Sequence, residues 1–191
     1  LANIMHNFND HWGLAARAIY RWKDSNVVIP LPPGDLITDQ DSEIFYTEQT
    51  LVGTYKNDDA SFIPKGWVFR PQLRAVYQHT SFEKVTNSFG GTNAGTVGKD
   101  DEYATLQARM QFIKMPSRRG GFSPYFEIGY ENEVINDLDR AVDDPSILIS
   151  KVGFSMSLDN GMNLGGYYVR NDGLEGLRDN HGATLIFSRS F

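Results

Sequence analysis

Long stretches of this chain alternate between two kinds of side chain, and this period of two limits the fold more than any other feature. In residues 11–24 the even positions carry Trp, Leu, Ala and Tyr, whereas the odd positions carry the cations. Segments 66–82, 101–115 and 121–135 repeat the separation of an apolar set from a polar one. Side chains two residues apart lie on the same face of a β-strand. The alternation therefore predicts an all-β protein whose strands have one apolar and one polar face.

The alternation defines eight long candidate strands and one shorter piece. Most exceed the 5–6 residues that are usual for strands of soluble proteins. A tilted strand that crosses a bilayer needs about 9–11 residues. The predicted strands are 11–24, 42–56, 66–82, 101–115, 121–135, 146–158, 162–170 and 181–191, with 1–8 as the shorter piece.

The connections between these strands alternate in length. Tight turns at 7–10, 116–120 and 159–161 separate long polar connections, and an intermediate connection spans 57–65. This rhythm is typical of outer-membrane barrels, which have short periplasmic turns and long extracellular loops. The long connections are 25–41, 83–100, 136–145 and 171–180.

Aromatic residues flank an apolar centre in 11–24, 66–82 and 121–135. Aromatic rings favour the headgroup level of a bilayer, and aliphatic side chains favour the hydrocarbon. A soluble β-sandwich would place its aromatic residues anywhere along the core face, and a lipocalin-like binder would turn them inward. Pro71 and Pro124 each remove one ladder donor, so we expect a bulge or an edge-like position at each.

Composition removes several other classes. The chain has no cysteine, which excludes a disulfide framework and a thiolate metal site. Its net charge of -6 gives no basic signature for nucleic acid. No stretch approaches the roughly 18 apolar residues of a membrane helix. In lipid every backbone group must be paired within the protein. We therefore predict one domain over residues 1–191, a closed antiparallel transmembrane β-barrel of 8–12 strands in the bacterial outer membrane.

The last predicted strand ends in Phe191, preceded by alternating Ala183, Leu185 and Phe187. This ending resembles the C-terminal signature of bacterial outer-membrane proteins, in which the last strand presents a terminal aromatic residue to the assembly machinery. Arg189 departs from that pattern, which usually has an aromatic or apolar residue there. The resemblance implies that the assembly machinery is a partner of this chain.

A narrower resemblance is carried by HNFNDHWGLAARAIY (residues 6–20) and SPYFEIGY (residues 123–130). Both are similar to segments of the oligogalacturonate-specific porin family, small monomeric barrels of twelve strands whose arginines line a pore for acidic sugars. The resemblance is loose over the whole chain. Single-chain bacterial barrels have even strand numbers. If 1–8 is a strand, we expect at least one more upstream; if it is only a lead-in, the barrel has eight strands.

With the apolar faces turned to lipid, the polar faces would line a lumen. Arg17 and Arg21 share a spacing of four with Arg70 and Arg74, about 13 Å along a strand. Guanidinium groups bind carboxylates and phosphates through two hydrogen bonds, so a row of them could pass an anionic solute from site to site. Tyrosines would add stacking surfaces for sugar rings. The predicted solute path is Arg17, Arg21, Lys23, Arg70, Arg74, Tyr103, Arg109, Tyr125, Glu127 and Lys151, and the other inward acids are Glu48, Glu131 and Glu133.

Other interpretations remain open at this stage. Inward arginines can instead pair with glutamates and plug the barrel, and Arg109 and Glu127 lie on neighbouring strands. His79 with Ser81 could begin a catalytic pair, although the histidines lack metal-ligand spacing. The acidic connection could bind calcium or be solvated; its residues are Asp137, Asp139, Asp143 and Asp144.

We therefore expect a passive channel for small hydrophilic, anionic solutes such as acidic oligosaccharides. The predicted partners are these solutes, the lipid bilayer and lipopolysaccharide. No catalytic residue, cofactor, metal or nucleic acid is expected. The alternative is a barrel without a channel, either a structural or adhesion protein that acts through its loops or an enzyme at the rim.

Overall fold

The computed structural model describes residues 1–93, 100–116, 121–137, 144–158 and 161–189. These residues fold into strands joined by turns, and none of them forms a helix long and apolar enough to cross a membrane. The strands are β1 (Ala2–Asn7), β2 (Trp12–Ile29), β3 (Leu36–Gly53), β4 (Tyr55–Lys56), β5 (Trp67–Phe82), β6 (Val85–Thr86), β7 (Thr92–Asn93), β8 (Asp101–Lys114), β9 (Phe122–Asn136), β10 (Ser146–Ser157), β11 (Met162–Gly173) and β12 (Asp179–Arg189).

Ten of these strands form one antiparallel sheet. Its order is β1-β2-β3-β5-β8-β9-β10-β11-β12, with the short β4 paired to β5, and β6 and β7 form a separate hairpin. Each long strand pairs with the long strands next to it in sequence. The predicted all-β class and antiparallel pairing are confirmed.

The connection predicted over 25–41 is wrong for most of its length. β2 and β3 continue to Ile29 and from Leu36, and they pair along the whole extension from Asp24↔Asp41 to Ile29↔Leu36. The β-branched residues of this segment fit the pleated backbone of a strand. Only residues 30–35 form the turn between these two strands.

The main sheet is open in the part of the chain that is described. β1 pairs only with β2, and β12 pairs only with β11, so the predicted closure is not observed. Nine long strands follow one another in antiparallel order. Because the direction reverses at each step, β1 and β12 run in the same direction.

Burial is inverted relative to a soluble β-protein. On β8, Leu106 is 57% exposed, whereas its neighbour Gln107 is 8% exposed. On β9, Phe126 is 46% exposed, whereas Glu127 is 7% exposed. We call the face that carries Gln107 and Glu127 the polar face, and the face that carries Leu106 and Phe126 the apolar face. Buried apolar residues are few among those described: Ile63, Val68, Val76 and Ile149.

The two strand prolines occupy positions where a ladder bond is dispensable. Pro71 lies beside the break between β3 and β4, since β3 pairs with β5 only as far as Val52↔Gln72. Pro124 lies one residue beyond Ile113↔Tyr125, which is the last pair between β8 and β9. Both positions are edge-like, as expected for a residue without a backbone donor.

Several predicted features fall outside the described residues. They are the terminal Phe191, Asp139 and Asp143 of the acidic connection, and residues 159–160 of the last tight turn.

Candidate functional site

All ten residues of the predicted solute path lie on the polar face. Strand register shows this directly, because residues opposite each other in a ladder point to the same side of a sheet. Arg70, Gln111, Glu127 and Lys151 form one row across four strands. A second row joins Arg17 to Glu48 and continues to Val76, Thr105 and Glu133.

An ion pair joins β3 to β5 on this face. Arg74 Nη2 lies 2.9 Å from Glu48 Oε2, and the same carboxylate accepts a hydrogen bond of 2.7 Å from the Tyr46 hydroxyl. Glu48 and Arg74 are diagonal neighbours, since Glu48 pairs with Val76 and Thr50 pairs with Arg74. Arg74 is therefore neutralised locally by a carboxylate on the adjacent strand.

A second ion pair lies between β8 and β9, where the sequence places Arg109 next to Glu127. Arg109 Nη1 lies 3.2 Å from Glu127 Oε1, and Gln111 Nε2 donates to Glu127 Oε2 at 3.3 Å. Gln107 donates to Glu131 in the same way, on the far side of the row that pairs Arg109 with Gly129. The carboxylate of Glu127 is almost completely buried, and these donors replace the water contacts that burial removes.

A third ion pair marks the end of the sheet that carries the long connections. Arg178 Nη1 donates to Glu133 Oε2 at 2.8 Å, and Asn136 Nδ2 donates to the same oxygen at 2.7 Å. Tyr103 Oη lies 3.5 Å from the other oxygen of Glu133. We call Glu48–Arg74, Arg109–Glu127 and Glu133–Arg178 the paired wall.

Asp144 holds Arg178 in place. Its carboxylate is fully buried and accepts backbone hydrogen bonds from Glu175 (3.2 Å), Leu177 (3.0 Å) and Arg178 (3.2 Å). Residues 174–178, which we call the strap, are thereby folded around one carboxylate. Three amide donors compensate a buried negative charge. The contacts of Asp144 are backbone amides, so this residue of the acidic connection has a structural role.

The cations of β2 form a contrasting group. Arg17, Arg21 and Lys23 are exposed, and none of them makes an ion pair within 4 Å among the described residues. We call these three residues the β2 cation row. Arg70 on β5 likewise makes no ion pair with a described carboxylate, and its buried Nε has no hydrogen-bond partner. It borders a cavity of about 610 Å³ with Asn7, His11 and Thr54.

Lys151 has an aromatic environment. Its Nζ lies 4.0 Å from the ring centroid of Tyr167 and 5.8 Å from that of Tyr125. The Tyr125 ring also lies against Gly153, where an added Cβ would come within 2.6 Å of it. Tyr125 is thus held against Lys151 on the polar face, with a cation–π contact as one stabilising interaction.

The apolar face has a chain of ring contacts near the short turns. Phe69 and Phe112 have centroids 4.8 Å apart, and Phe112 stacks on Phe126 at 4.9 Å. Phe62 contacts Phe69, and separate pairs join Phe122 to Phe154 at 5.6 Å and Trp12 to Tyr55. We call this set the short-turn girdle: Trp12, Tyr55, Phe62, Phe69, Phe112, Phe122, Phe126 and Phe154.

Three members of the short-turn girdle are each followed, eight residues later on the same strand, by a tyrosine on the apolar face. Tyr20 follows Trp12, Tyr77 follows Phe69 and Tyr130 follows Phe122 at this interval, about 26 Å along a strand. The tyrosine hydroxyls find polar partners: Tyr20 donates to Glu43 (2.6 Å), Tyr77 donates to Glu102 (3.0 Å) and Tyr130 bonds Ser146 (2.9 Å). We call Tyr20, Tyr77, Tyr130 and Tyr168 the tyrosine girdle.

Beyond Tyr168 on β11 the apolar face becomes charged. Arg170 donates to Asp172 at 2.8 Å and lies 3.8 Å from Asp179. The hydrogen bond to Asp172, aided by the negative charge of both carboxylates, raises the pKa of Arg170 above its usual value. The apolar band on this strand therefore ends at Tyr168.

The remaining sequence candidates do not assemble into a reaction centre among the described residues. His79 lies 3.8 Å from Asp100 and 3.7 Å from Glu102, and no hydrogen bond joins it to Ser81. No group of three or more His, Asp or Glu residues is arranged to hold a metal ion in the described ranges.

Comparison with known proteins gives no family assignment. The sequence matches no protein-family model, and no curated protein matches it significantly.

Four residues that contact the predicted charged side chains were not among the predicted site residues. They are Tyr46, Gln107, Tyr167 and Arg178, which contact Glu48, Glu131, Lys151 and Glu133. Period two alone identifies the first two, because each lies two residues from a charged member of its own face. Predicting the contact of Tyr167 requires the register of β11, and predicting that of Arg178 requires the conformation of the strap.

Proposed function

We propose that this chain is an outer-membrane β-barrel channel for the passive diffusion of small hydrophilic, anionic solutes such as acidic oligosaccharides. The observation that carries the proposal is the inverted burial of the sheet. Apolar side chains such as Leu73 and Leu106 are more than half exposed, while glutamine and glutamate side chains behind them are buried. Such a surface is stable in contact with hydrocarbon, where exposed apolar groups face no water.

The two girdles support a membrane location. They bound the apolar face at an interval of about 26 Å along each strand. At a strand tilt of about 40° this interval rises about 20 Å along the membrane normal, somewhat less than the apolar band of about 25 Å in membrane barrels. The tyrosine girdle keeps its hydroxyls bonded to polar groups, as expected at a headgroup level. The short-turn girdle consists mainly of phenylalanine, and its rings contact one another in pairs.

The β2 cation row supports the preference for anions. Its side chains are exposed on the polar face and make no ion pair within 4 Å among the described residues, whereas each arginine of the paired wall lies against a carboxylate. An anion would be attracted to this row, exchange between neighbouring guanidinium groups and leave, since exposed sites bind weakly. Tyr103, Tyr125 and Tyr167 are partly exposed on the same polar face and would add aromatic contact surface for sugars.

The test is single-channel conductance of the refolded protein in a planar bilayer under a salt gradient. We expect stable conductance steps with anion preference, and a reversal potential that moves toward cation preference in the double variant Arg17→Ser with Arg21→Ser. A matched control is Lys65→Ser, which removes one exposed cation from the connection between β4 and β5. Absence of conductance from protein that is demonstrably inserted would reject the channel.

The paired wall favours a second candidate, a barrel without a channel. Three ion pairs and their neighbouring donors occupy the polar face: Glu48–Arg74, Arg109–Glu127 and Glu133–Arg178. Such a network can fill the interior of a narrow barrel instead of lining a pore. In that case the protein would act through its long connections or its rim, and the same conductance measurement distinguishes the two candidates.

A further inference from the structure

The two edges of the main sheet differ from its centre in how they are covered. At the centre, polar-face residues such as Thr105 and Gln107 are buried. Every described residue of β1 is exposed, and almost all of β12 is exposed as well. This holds for both faces, since Ile4 and Leu185 of the apolar face and Met5 and Ile186 of the polar face are all more than half exposed. Each edge therefore has no neighbouring strand among the described residues.

Strand direction limits what this neighbour can be. β1 and β12 run in the same direction, so direct pairing between them would create a parallel ladder in a sheet whose other ladders are all antiparallel. A second copy in the same membrane orientation meets the same obstacle, because its β1 would be parallel to β12 of the first copy. Only an odd number of intervening strands restores the alternation.

We propose that a single additional strand of the same polypeptide, from outside residues 1–191, seats between β12 and β1 and runs antiparallel to both. It carries apolar side chains on the apolar face and polar side chains on the polar face, in continuity with its neighbours. This inference rests on the proposed membrane location, because unpaired backbone groups of two edges are not tolerated in hydrocarbon. One is the smallest odd number of strands that restores the alternation, and the completed sheet then has ten long strands.

The proposed additional strand predicts the distance between β12 and β1. Adjacent strands lie about 4.8 Å apart, so one intervening strand separates β12 from β1 by about 10 Å. A disulfide needs Cα atoms within about 7 Å and cannot span this gap. A bismaleimide with an arm of about 10 Å can span it. Residues 1–191 contain no native cysteine, so within them only the engineered cysteines can be cross-linked.

The experiment uses the full-length polypeptide inserted into lipid vesicles. Leu185→Cys on β12 is combined in turn with Ala2→Cys, Ile4→Cys and His6→Cys, which all lie on the apolar face of β1. Two control pairs calibrate the reagents. Gly166→Cys with Leu185→Cys places cysteines on adjacent strands, and Phe154→Cys with Leu185→Cys places them on strands separated by β11.

We expect at least one β1–β12 pair to behave like the Phe154 control: linked within one chain by the bismaleimide and not by oxidation. A disulfide within one chain would overturn the proposal in favour of direct closure, and a link between two chains would overturn it in favour of a second copy. If the bismaleimide with an arm of about 10 Å links none of the β1–β12 pairs while both control pairs react, a gap of one strand between β12 and β1 is rejected. These readouts do not depend on conductance. A protein that inserts without conducting therefore still tests whether one additional strand lies between β12 and β1.

Discussion

The paired wall and the β2 cation row lie on the same face of the same sheet, yet their arginines have different environments. Arg74, Arg109 and Arg178 each lie within about 3.2 Å of a carboxylate, and the carboxylates of Glu127 and Glu133 are largely buried. Arg17 and Arg21 are exposed and unpaired among the described residues. The comparison shows that arginines on one face differ in local pairing. In the proposed channel, this pairing would separate the structural guanidinium groups from those available to an anion.

The largest expected effect comes from breaking the paired wall at its most buried carboxylate. Glu127→Gln leaves Arg109 without a negative partner, and we expect the free energy of unfolding to fall by about 3 kcal/mol. Urea unfolding of the refolded protein in lipid vesicles measures this change. Glu83→Gln, at an exposed position, is the control and should change stability by less than about 0.5 kcal/mol. Equal effects of the two variants would show that the pair has no structural role.

An intermediate effect is expected from the strap. Asp144→Asn removes one acceptor oxygen and places an amide donor against backbone amides, so local opening of residues 174–178 should become easier by about 2 kcal/mol. Hydrogen exchange at the amides of Glu175 and Leu177 should then accelerate about 10- to 30-fold. Asp58→Asn, in an exposed turn, should leave these amides unchanged. Unaltered exchange in the Asp144 variant would mean that the strap is held by other contacts.

The smallest expected effect tests whether paired arginines differ from those of the β2 cation row in their contribution to ion selectivity. Replacing both members of one pair, Arg74→Met with Glu48→Gln, leaves the net charge of the polar face unchanged. We expect the unfolding free energy to change by about 1 kcal/mol or less, because neutral side chains can replace a partly buried pair. The reversal potential in a salt gradient should stay at the wild-type value, in contrast to variants of the β2 cation row. A shift as large as that of Arg17→Ser would show that the paired arginine also attracts the permeating ion.

The faces and most of the strands were predictable because both depend on local sequence. Period two assigned Leu106 and Gln107 to opposite faces, and spacing alone placed Arg109 beside Glu127, as the structure confirms. The pair of Arg74 with Glu48 was not predictable, because it is diagonal and depends on the register between β3 and β5. The strap was missed for a related reason. Its conformation depends on Asp144, whose backbone partners lie some thirty residues away, and no periodic pattern records such a contact.

The order of the main sheet has a consequence for how the chain acquires its structure. Every long ladder in the described part joins strands that are neighbours in sequence, so each new strand needs only the hairpin partner that precedes it. Chains dominated by such near-neighbour contacts avoid the slow search for distant segments. Growth can therefore proceed by hairpin addition, and each added strand extends both the apolar face and the polar face.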